Sequence, residues 1–348
     1  MDKQPVSKKT RKVLITGANG FVGSNLTKFL SRNPFLDVYA MVRPGSPVNF
    51  LYEFQRDRES GRNMFELVEA NLKDEMSIAD AVNGMDVVVH LAGLVGDWGK
   101  KSDFVEANVE GTRRLLDCAS KAKVSRVIFL SSLTVHAMDG HDYSDENAPR
   151  DMADLAYGET KKIGEDLVLD WASGFPERKS TVVRPGWVIY GSYDKNTFIE
   201  VLDHIKKGSF GFIDKGKSLI SYVYVENLCY GIEKLIMAPE INGVYNILDG
   251  NMRWREWIMI WADALKVRSP RLSVPYWFMF PFVFLIEVFF KFFRIKNAPL
   301  LTLYRIRIMH KDLAFKNDRI VNEHDYSSVV SLGDSVESTL GFYHGLRK

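Results

Sequence analysis

The sequence predicts an α/β protein: a doubly wound parallel β-sheet covered by helices on both faces, with a smaller cap built mainly from the C-terminal third. Two observations carry this. Strand-like and helix-like stretches alternate across about 180 residues, as parallel strands joined by helical crossovers would. A glycine-rich turn joins the first strand to the first helix. With 46% apolar residues in a chain of 348, a sizeable core can be buried, and a net charge of +2 argues against a nucleic-acid partner.

The elements follow in order. Residues 1–10 are polar and basic and read as a tail. The apolar run Val13-Leu14-Ile15 is too short for a secretion-signal core, so a cytoplasmic protein is expected. That run is the first strand, and a helix extends from the glycine turn to about Ser31. Val38–Val42 is the second strand; Phe65–Ala70 is the third, with a helix from about Met76 to Asn83 after it. Asp86–Leu91, nearly all apolar, suits a strand buried on both faces. Asp103–Ala122 reads as one long helix, Val127–Leu130 as the fifth strand, Ala156 to about Ser173 as a helix, and Ser180–Val183 as the sixth strand. After residue 190 the alternation stops. Residues 11–190, rejoined by about 219–250, are assigned to the sheet domain, and residues 191–218 and 251–348 to the cap. Cys118 and Cys229 are far apart and lack metal spacing, so both are expected as buried free thiols.

The turn reads TGANGFVG at 16–23. Gly17 allows a tight turn, Gly20 lets the backbone approach a pyrophosphate, and Gly23 lets the helix pack close to the sheet. The helix N-terminus then offers N–H groups and a positive dipole end to phosphate. A glycine triplet alone says little, but its place between the first strand and the first helix predicts a Rossmann-type dinucleotide site. Readers of NAD usually end the second strand in an acid. Here Arg43 stands there with no acid nearby, and a guanidinium matches a 2′-phosphate. NADP(H) is therefore preferred over NAD(H); otherwise Arg43 stacks on adenine or faces solvent.

Tyr157 and Lys161 form YxxxK, and positions i and i+4 share a helix face. A neighbouring cation and an oxidised nicotinamide would pull the phenol pKa down from about 10. Tyr157 is then a candidate general acid or base. Ser131-Ser132 and His90-Leu91-Ala92-Gly93 close two earlier strands, at the ends where open α/β sheets bind ligands.

Together these pieces resemble the extended branch of the short-chain dehydrogenase/reductase superfamily, and within it the 3β-hydroxysteroid dehydrogenase-like group. The matching segments are TGANGFVG at 16–23, HLAG at 90–93, NVEGT at 108–112, FLSSLTV at 129–135, YGETK at 157–161, RPGWVIYG at 184–191 and SYVYVENL at 221–228. The resemblance implies catalytic roles for Ser132, Tyr157 and Lys161. It implies that Gly17, Gly20, Phe21, Val22 and Gly23 hold the pyrophosphate, and that Asn71 and Leu72 meet the adenine. It also sets Leu91, Ala92, Gly93 and Asn108 along the cofactor, and Pro185 and Gly186 beside the nicotinamide amide. Homodimers through helices near 103–122 and 156–173 are implied by resemblance alone.

Two departures bear on the substrate. Asn71 stands where the family usually has Asp, a mild change. Trp187 stands where relatives acting on nucleotide sugars often have Asn, which favours a bulky apolar substrate. Leu133-Thr134 after Ser132 lacks the acidic pair of dehydratases. The expected activity is interconversion of a hydroxyl and a ketone on a sterol-like or long-chain lipid. A nucleotide-sugar epimerase is the enzyme alternative, and a dinucleotide-sensing or assembly protein the non-enzyme one. Trp98, His136, Trp187 and Tyr190 are candidates for the substrate pocket, with His136 read more readily as a satisfied structural histidine.

Residues 273–293 read SVPYWFMFPFVFLIEVFFKFF. The unbroken apolar run from Tyr276 to Ile286 falls short of the ~20 residues that span a bilayer. A helix from Phe282 would carry Glu287, Lys291 and Arg294 as one charged stripe, suited to lying in a membrane interface. The basic stretch from Lys291 to Lys316 would favour anionic head groups. A substrate lid with buried aromatics is the competing and compatible reading.

Overall fold

A computed structural model describes residues 10–55, 64–152, 155–195 and 197–347; the expected tail lies outside them apart from Thr10. The strands are β1 (Arg11–Thr16), β2 (Leu36–Val42), β3 (Glu66–Glu69), β4 (Val87–His90), β5 (Arg126–Leu130), β6 (His141–Ser144) and β7 (Lys179–Pro185). They continue with β8 (Val188–Tyr190), β9 (Phe212–Ile213), β10 (Leu219–Tyr224), β11 (Gly243–Ile247), β12 (Gly250–Arg253), β13 (Ser273–Val274) and β14 (Leu313–Phe315). The helices are α1 (Phe21–Leu30), α2 (Asn49–Tyr52), α3 (Glu75–Val82), α4 (Lys101–Phe104), α5 (Gly111–Lys121), α6 (Ala156–Ala172) and α7 (Phe198–Lys206). After them come α8 (Val225–Met237), α9 (Trp254–Ala264), α10 (Tyr276–Phe292), α11 (Leu303–Ile308), α12 (Asp318–His324) and α13 (Leu332–Leu346).

The main sheet has seven strands in the order β11-β7-β5-β4-β1-β2-β3, every neighbour parallel. Strand order reverses at β1, which places β2 on one side and β4 on the other. The carboxyl ends of β1 and β4 open there into a crevice, the usual ligand site of such sheets. All four residues of β4 and Val13, Leu14 and Ile15 of β1 are buried, because helices cover both faces.

The helix expected over 103–122 is a continuous run with an insertion. Between α4 and α5, residues Val105–Glu110 form a π-helical turn. Such turns recur at functional sites, and this one carries Asn108.

A second sheet of five strands runs β12-β10-β14-β6, with β8 beside β10. β6 is polar in sequence and exists because β14, far along the chain, pairs with it. Beneath this sheet Tyr190, Phe198, Tyr222, Trp257 and Trp261 form an aromatic core, with Tyr222 stacked on Trp257 at 4.8 Å. Both cysteines are buried and free.

Candidate active site

The glycine turn is shaped by close approach. Gly17 has φ +68°, and a Cβ there would lie 2.9 Å from the Ala92 backbone. A Cβ on Gly23 would lie 2.1 Å from the Gly17 oxygen, so α1 could not sit where it does with any larger residue. Gly20 caps α1 without a side chain, which leaves the helix start open toward the crevice. Free backbone donors on a dipole end suit a pyrophosphate, so the residues present fit the expected dinucleotide. Arg43 follows β2 and is exposed. Leu72 is fixed by Arg114, whose Nη1 donates to its carbonyl at 3.1 Å, while Asn71 accepts the Lys73 N–H at Oδ1.

Register puts Thr16 beside His90. Thr16 Oγ1 meets His90 Nδ1 at 2.8 Å, and His90 Nε2 meets Thr112 Oγ1 at 2.9 Å. The Thr112 proton goes to the Asn108 carbonyl, so His90 donates from Nε2 and accepts at Nδ1. Thr16 Oγ1 also accepts the N–H groups of Leu91 and Ala92, fixing the strand end at the crevice. Burial pushes His90 down to about 3, which keeps it neutral. Asn108 is a brace: it accepts from Leu94 N–H at 2.7 Å and donates to the Leu94 carbonyl and to Thr160 Oγ1, both at 3.0 Å. Its amide is thus spent on the loop after β4, with Gly93 packed directly against its Oδ1.

Tyr157, Lys161 and Glu165 share one face of α6 at four-residue spacing. α6 comes close to the turn after Ser132: a Cβ on Gly158 would lie 2.3 Å from the Thr134 oxygen. Ser132 Oγ accepts the Thr134 N–H at 3.2 Å and the Thr134 hydroxyl at 2.9 Å. With those donors on its oxygen, the Ser132 proton is free to face Tyr157, whose phenol it hydrogen-bonds. Lys161 Nζ donates to the Leu130 carbonyl at 2.7 Å and stands 6.0 Å from the Tyr157 ring.

The expected lowering of the phenol pKa needs Lys161 together with an oxidised nicotinamide; the protein's own groups alone do not supply it. Burial pushes Tyr157 up to about 12, with Ser132 offsetting only part. Lys161 is held back against the Leu130 carbonyl, and burial lowers it to about 8, opposed by Glu165. Without further charge the phenol is a protonated acid at neutral pH.

Glu165 is fully buried. It accepts from Arg184 Nε and Nη2 at 2.8 and 2.7 Å, from Arg150 Nη1 at 3.1 Å and from Ser131 Oγ at 2.6 Å. These donors hold its carboxyl below the usual range despite burial. Ser131 is thereby turned into the core, and Ser132 is left as the hydroxyl at the site.

The four substrate candidates divide. Trp187 follows Gly186 at the end of β7 and donates from Nε1 to the Tyr304 hydroxyl at 3.2 Å. Tyr304, on α11, lies near enough to feel the charge of Tyr157, Asp97 and Arg305, and burial raises its phenol far above the ordinary value. Trp98 reaches the end of α10, where Nε1 donates to the Ile295 carbonyl at 3.2 Å. Asp97 beside it is clasped by Arg305 at 2.9 and 3.2 Å and by the Thr302 hydroxyl at 2.6 Å. The loop after β4 is therefore tied to the cap.

Tyr190 is corrected as a pocket residue, and His136 takes the structural role that the sequence favoured for it. His136 is wholly buried; its Nδ1 serves Pro149 O at 2.8 Å, and its Nε2 accepts from Arg184 at 3.2 Å. Both nitrogens are occupied, and burial beside Arg184 lowers it to about 4. Tyr190 belongs to the aromatic core, with its hydroxyl bonded to Ser335 at 2.7 Å. Tyr304, Asp97 and Arg305 were not found from sequence, since none of them belongs to a motif and their partners are far along the chain.

The charged stripe of α10 divides: Lys291 and Arg294 are exposed, whereas Glu287 is not. Glu287 points inward, buried, accepting Leu303 N–H at 2.5 Å and Lys291 Nζ at 2.9 Å. The outward surface is the apolar one. No helix among the described residues is long and apolar enough to cross a membrane.

Comparison with known proteins agrees with this geometry. Residues 13–247 match the NAD dependent epimerase/dehydratase family. A 3beta-hydroxysteroid-dehydrogenase/decarboxylase of Arabidopsis thaliana is 25% identical, covering 98% of this chain and 82% of its own. The sterol-4-alpha-carboxylate 3-dehydrogenase of Mus musculus is 24% identical, covering 98% and 93%. An N-acetyl-alpha-D-glucosaminyl-diphospho-ditrans,octacis-undecaprenol 4-epimerase of Escherichia coli O157:H7 is 28% identical over 76% of this chain and 75% of its own. Among solved structures, gox2253 superposes with a TM-score of 0.78 at 22% identity, covering 97% and 99% of the two chains.

Proposed function

The chain belongs to the NAD-dependent epimerase/dehydratase family, enzymes acting on CH–OH groups, and within it we propose an oxidoreductase that interconverts a hydroxyl and a ketone on a hydrophobic, sterol-like or long-chain substrate. One observation carries the proposal: Tyr304, which accepts a hydrogen bond from Trp187, lies near enough to Tyr157 to feel its charge, so two aromatic residues stand near the phenol where a sugar diphosphate would need basic and amide groups. The two sterol-dehydrogenase relatives align over almost the whole chain, cap included.

When bound, a nicotinamide dinucleotide supplies or accepts the hydride. Gly17, Gly20, Phe21, Val22 and Gly23 would hold its pyrophosphate at the start of α1, and Lys161 its ribose. Ser132 donates a hydrogen bond to the substrate oxygen. Tyr157, protonated because burial raises it, gives its proton to that oxygen in reduction and takes it back in oxidation. Lys161 supplies the positive charge that makes the phenolate left behind less costly. Asn108 and Thr160 hold the loop after β4 against α6 so that these groups keep their spacing.

We further propose NADP(H) as the preferred cofactor, on the exposed Arg43 at the end of β2. Titration with NADPH and NADH, read by energy transfer from tryptophan, tests this. NADPH is expected to bind at least ~10-fold tighter, about 1.4 kcal/mol, with the preference lost in Arg43→Ala. Equal binding, or preference for NADH, contradicts it.

A second reading has its own support. The Escherichia coli epimerase acts, by its name, on a sugar linked through a diphosphate to a polyprenol, and the apolar outer face of α10 would suit such a lipid. Tightly held NAD⁺ in the purified protein would favour that reading.

A further inference from the structure

We propose that α10 lies flat on an anionic membrane surface, its outward face embedded among the acyl chains and its flanking basic residues among the head groups. Of the 25 large hydrophobic residues exposed among the described residues, 12 fall between Leu272 and Leu300. Trp277 and Phe292 are 74% and 77% exposed, with Phe282, Leu285 and Phe289 between them. Monomeric proteins rarely leave so large an apolar patch in water.

The charge around the patch identifies the occupant. Between residues 264 and 311 there are nine Lys and Arg and a single acid, Glu287. That acid is buried and paired with Lys291 and the Leu303 N–H, and Asp214 beside Tyr276 is paired with His310, so the unpaired charge flanking the patch is basic. Arg268 and Arg271 stand exposed before α10, and Arg294 and Lys296 after it. An apolar face with cations at both ends complements anionic head groups above acyl chains. A protein partner or a second copy would more often meet a mixed-charge rim.

Both ends of the helix are tied to the body, which rules out a crossing. Before it, β13 pairs with β9, and the Tyr276 N–H donates to Asp214 at 3.0 Å. Behind it, Glu287 holds α11 and Trp98 holds the Ile295 carbonyl. A 17-residue helix about 26 Å long, pinned along one side, can only lie in the surface plane. Docking in this pose brings the Trp98 loop, at the edge of the site, to the membrane. The inference does not depend on the reaction assigned above.

Flotation of the full chain with vesicles of phosphatidylcholine, or of phosphatidylcholine with phosphatidylserine, tests it. The chain should float with the anionic vesicles and release as salt rises. Leu285→Asp/Phe292→Asp should bind at least ~10-fold more weakly, and Arg294→Gln/Lys296→Gln should weaken binding to anionic vesicles selectively. NADPH titration of each variant checks that the fold survives. In the wild type, bromine-labelled acyl chains should quench a tryptophan signal that Trp277→Phe removes. Any of three results overturns the proposal: no binding to anionic vesicles, unchanged binding by the apolar double variant, or a dimer that the double variant converts to monomer without lipid binding.

Discussion

The two walls of the site are built on opposite terms. On the sheet side, the strand ends and α6 carry a closed polar network. Thr16, His90, Thr112 and Asn108 form one chain of bonds, and Ser131, Glu165, Arg184 and His136 another. On the cap side a few long-range contacts, Trp187 to Tyr304 and Asp97 to Arg305, hold helices whose outer surface is apolar. The first wall fixes chemistry by over-determining a few side chains. In the proposed reading the second would meet the substrate, and its few contacts leave it free to change with it.

If the chemistry belongs to the sheet side, the largest effect comes from its proton donor. Tyr157→Phe should cut turnover about 10²–10⁴-fold while NADPH affinity, read by tryptophan energy transfer, stays unchanged. A variant with near-normal turnover would remove Tyr157 from the reaction.

The buried ion network comes next. Glu165→Ala leaves Arg184 and, in part, Arg150 without a counter-charge, which should cost about 3–5 kcal/mol in urea unfolding. A loss below about 1 kcal/mol would mean that water or a rearranged Arg184 replaces the carboxylate.

Acid should weaken the same wall. His90 and His136 are held neutral, at about 3 and about 4, against 6.5 unfolded. Between those values the unfolded chain binds more protons, so stability falls as pH drops below about 6.5. At pH 5 each histidine contributes a loss of about 2 kcal/mol relative to pH 7, read as a lower urea midpoint. On the alkaline side, Lys161 loses its charge as pH passes about 8, and the rate of reduction should decline there. A flat rate from pH 7 to 9 would contradict that role.

The smallest effect should come from the cap. Tyr304→Phe removes one hydroxyl that accepts from Trp187. It should lower kcat/KM by roughly 5-fold, about 1 kcal/mol, and leave cofactor affinity and the urea midpoint where they are. An effect as large as that of Tyr157→Phe would break the division between the two walls.

The same division governs what the sequence made legible. The strand-turn-helix with its glycines and the four-residue spacing of Tyr157 and Lys161 are local patterns, so periodicity and spacing found them. β6 was invisible because its residues are polar and only β14 makes them a strand. Tyr304 and Arg305 were invisible because their partners lie more than a hundred residues away. Tyr190 misled for the same reason: its hydroxyl suits a pocket, but Ser335, 145 residues away, takes it into the core. The helical stripe of Glu287 and Lys291 was found, yet its direction depended on α11, which takes the carboxylate inward.

The most direct test follows nicotinamide absorbance while the purified chain is offered lipophilic ketones with NADPH, and separately the nucleotide and polyprenyl-diphosphate sugars. The account predicts sustained NADPH consumption, matched one to one by alcohol product, on at least one lipophilic ketone. Interconversion of a sugar with no net change in cofactor would contradict it and make the chain an epimerase.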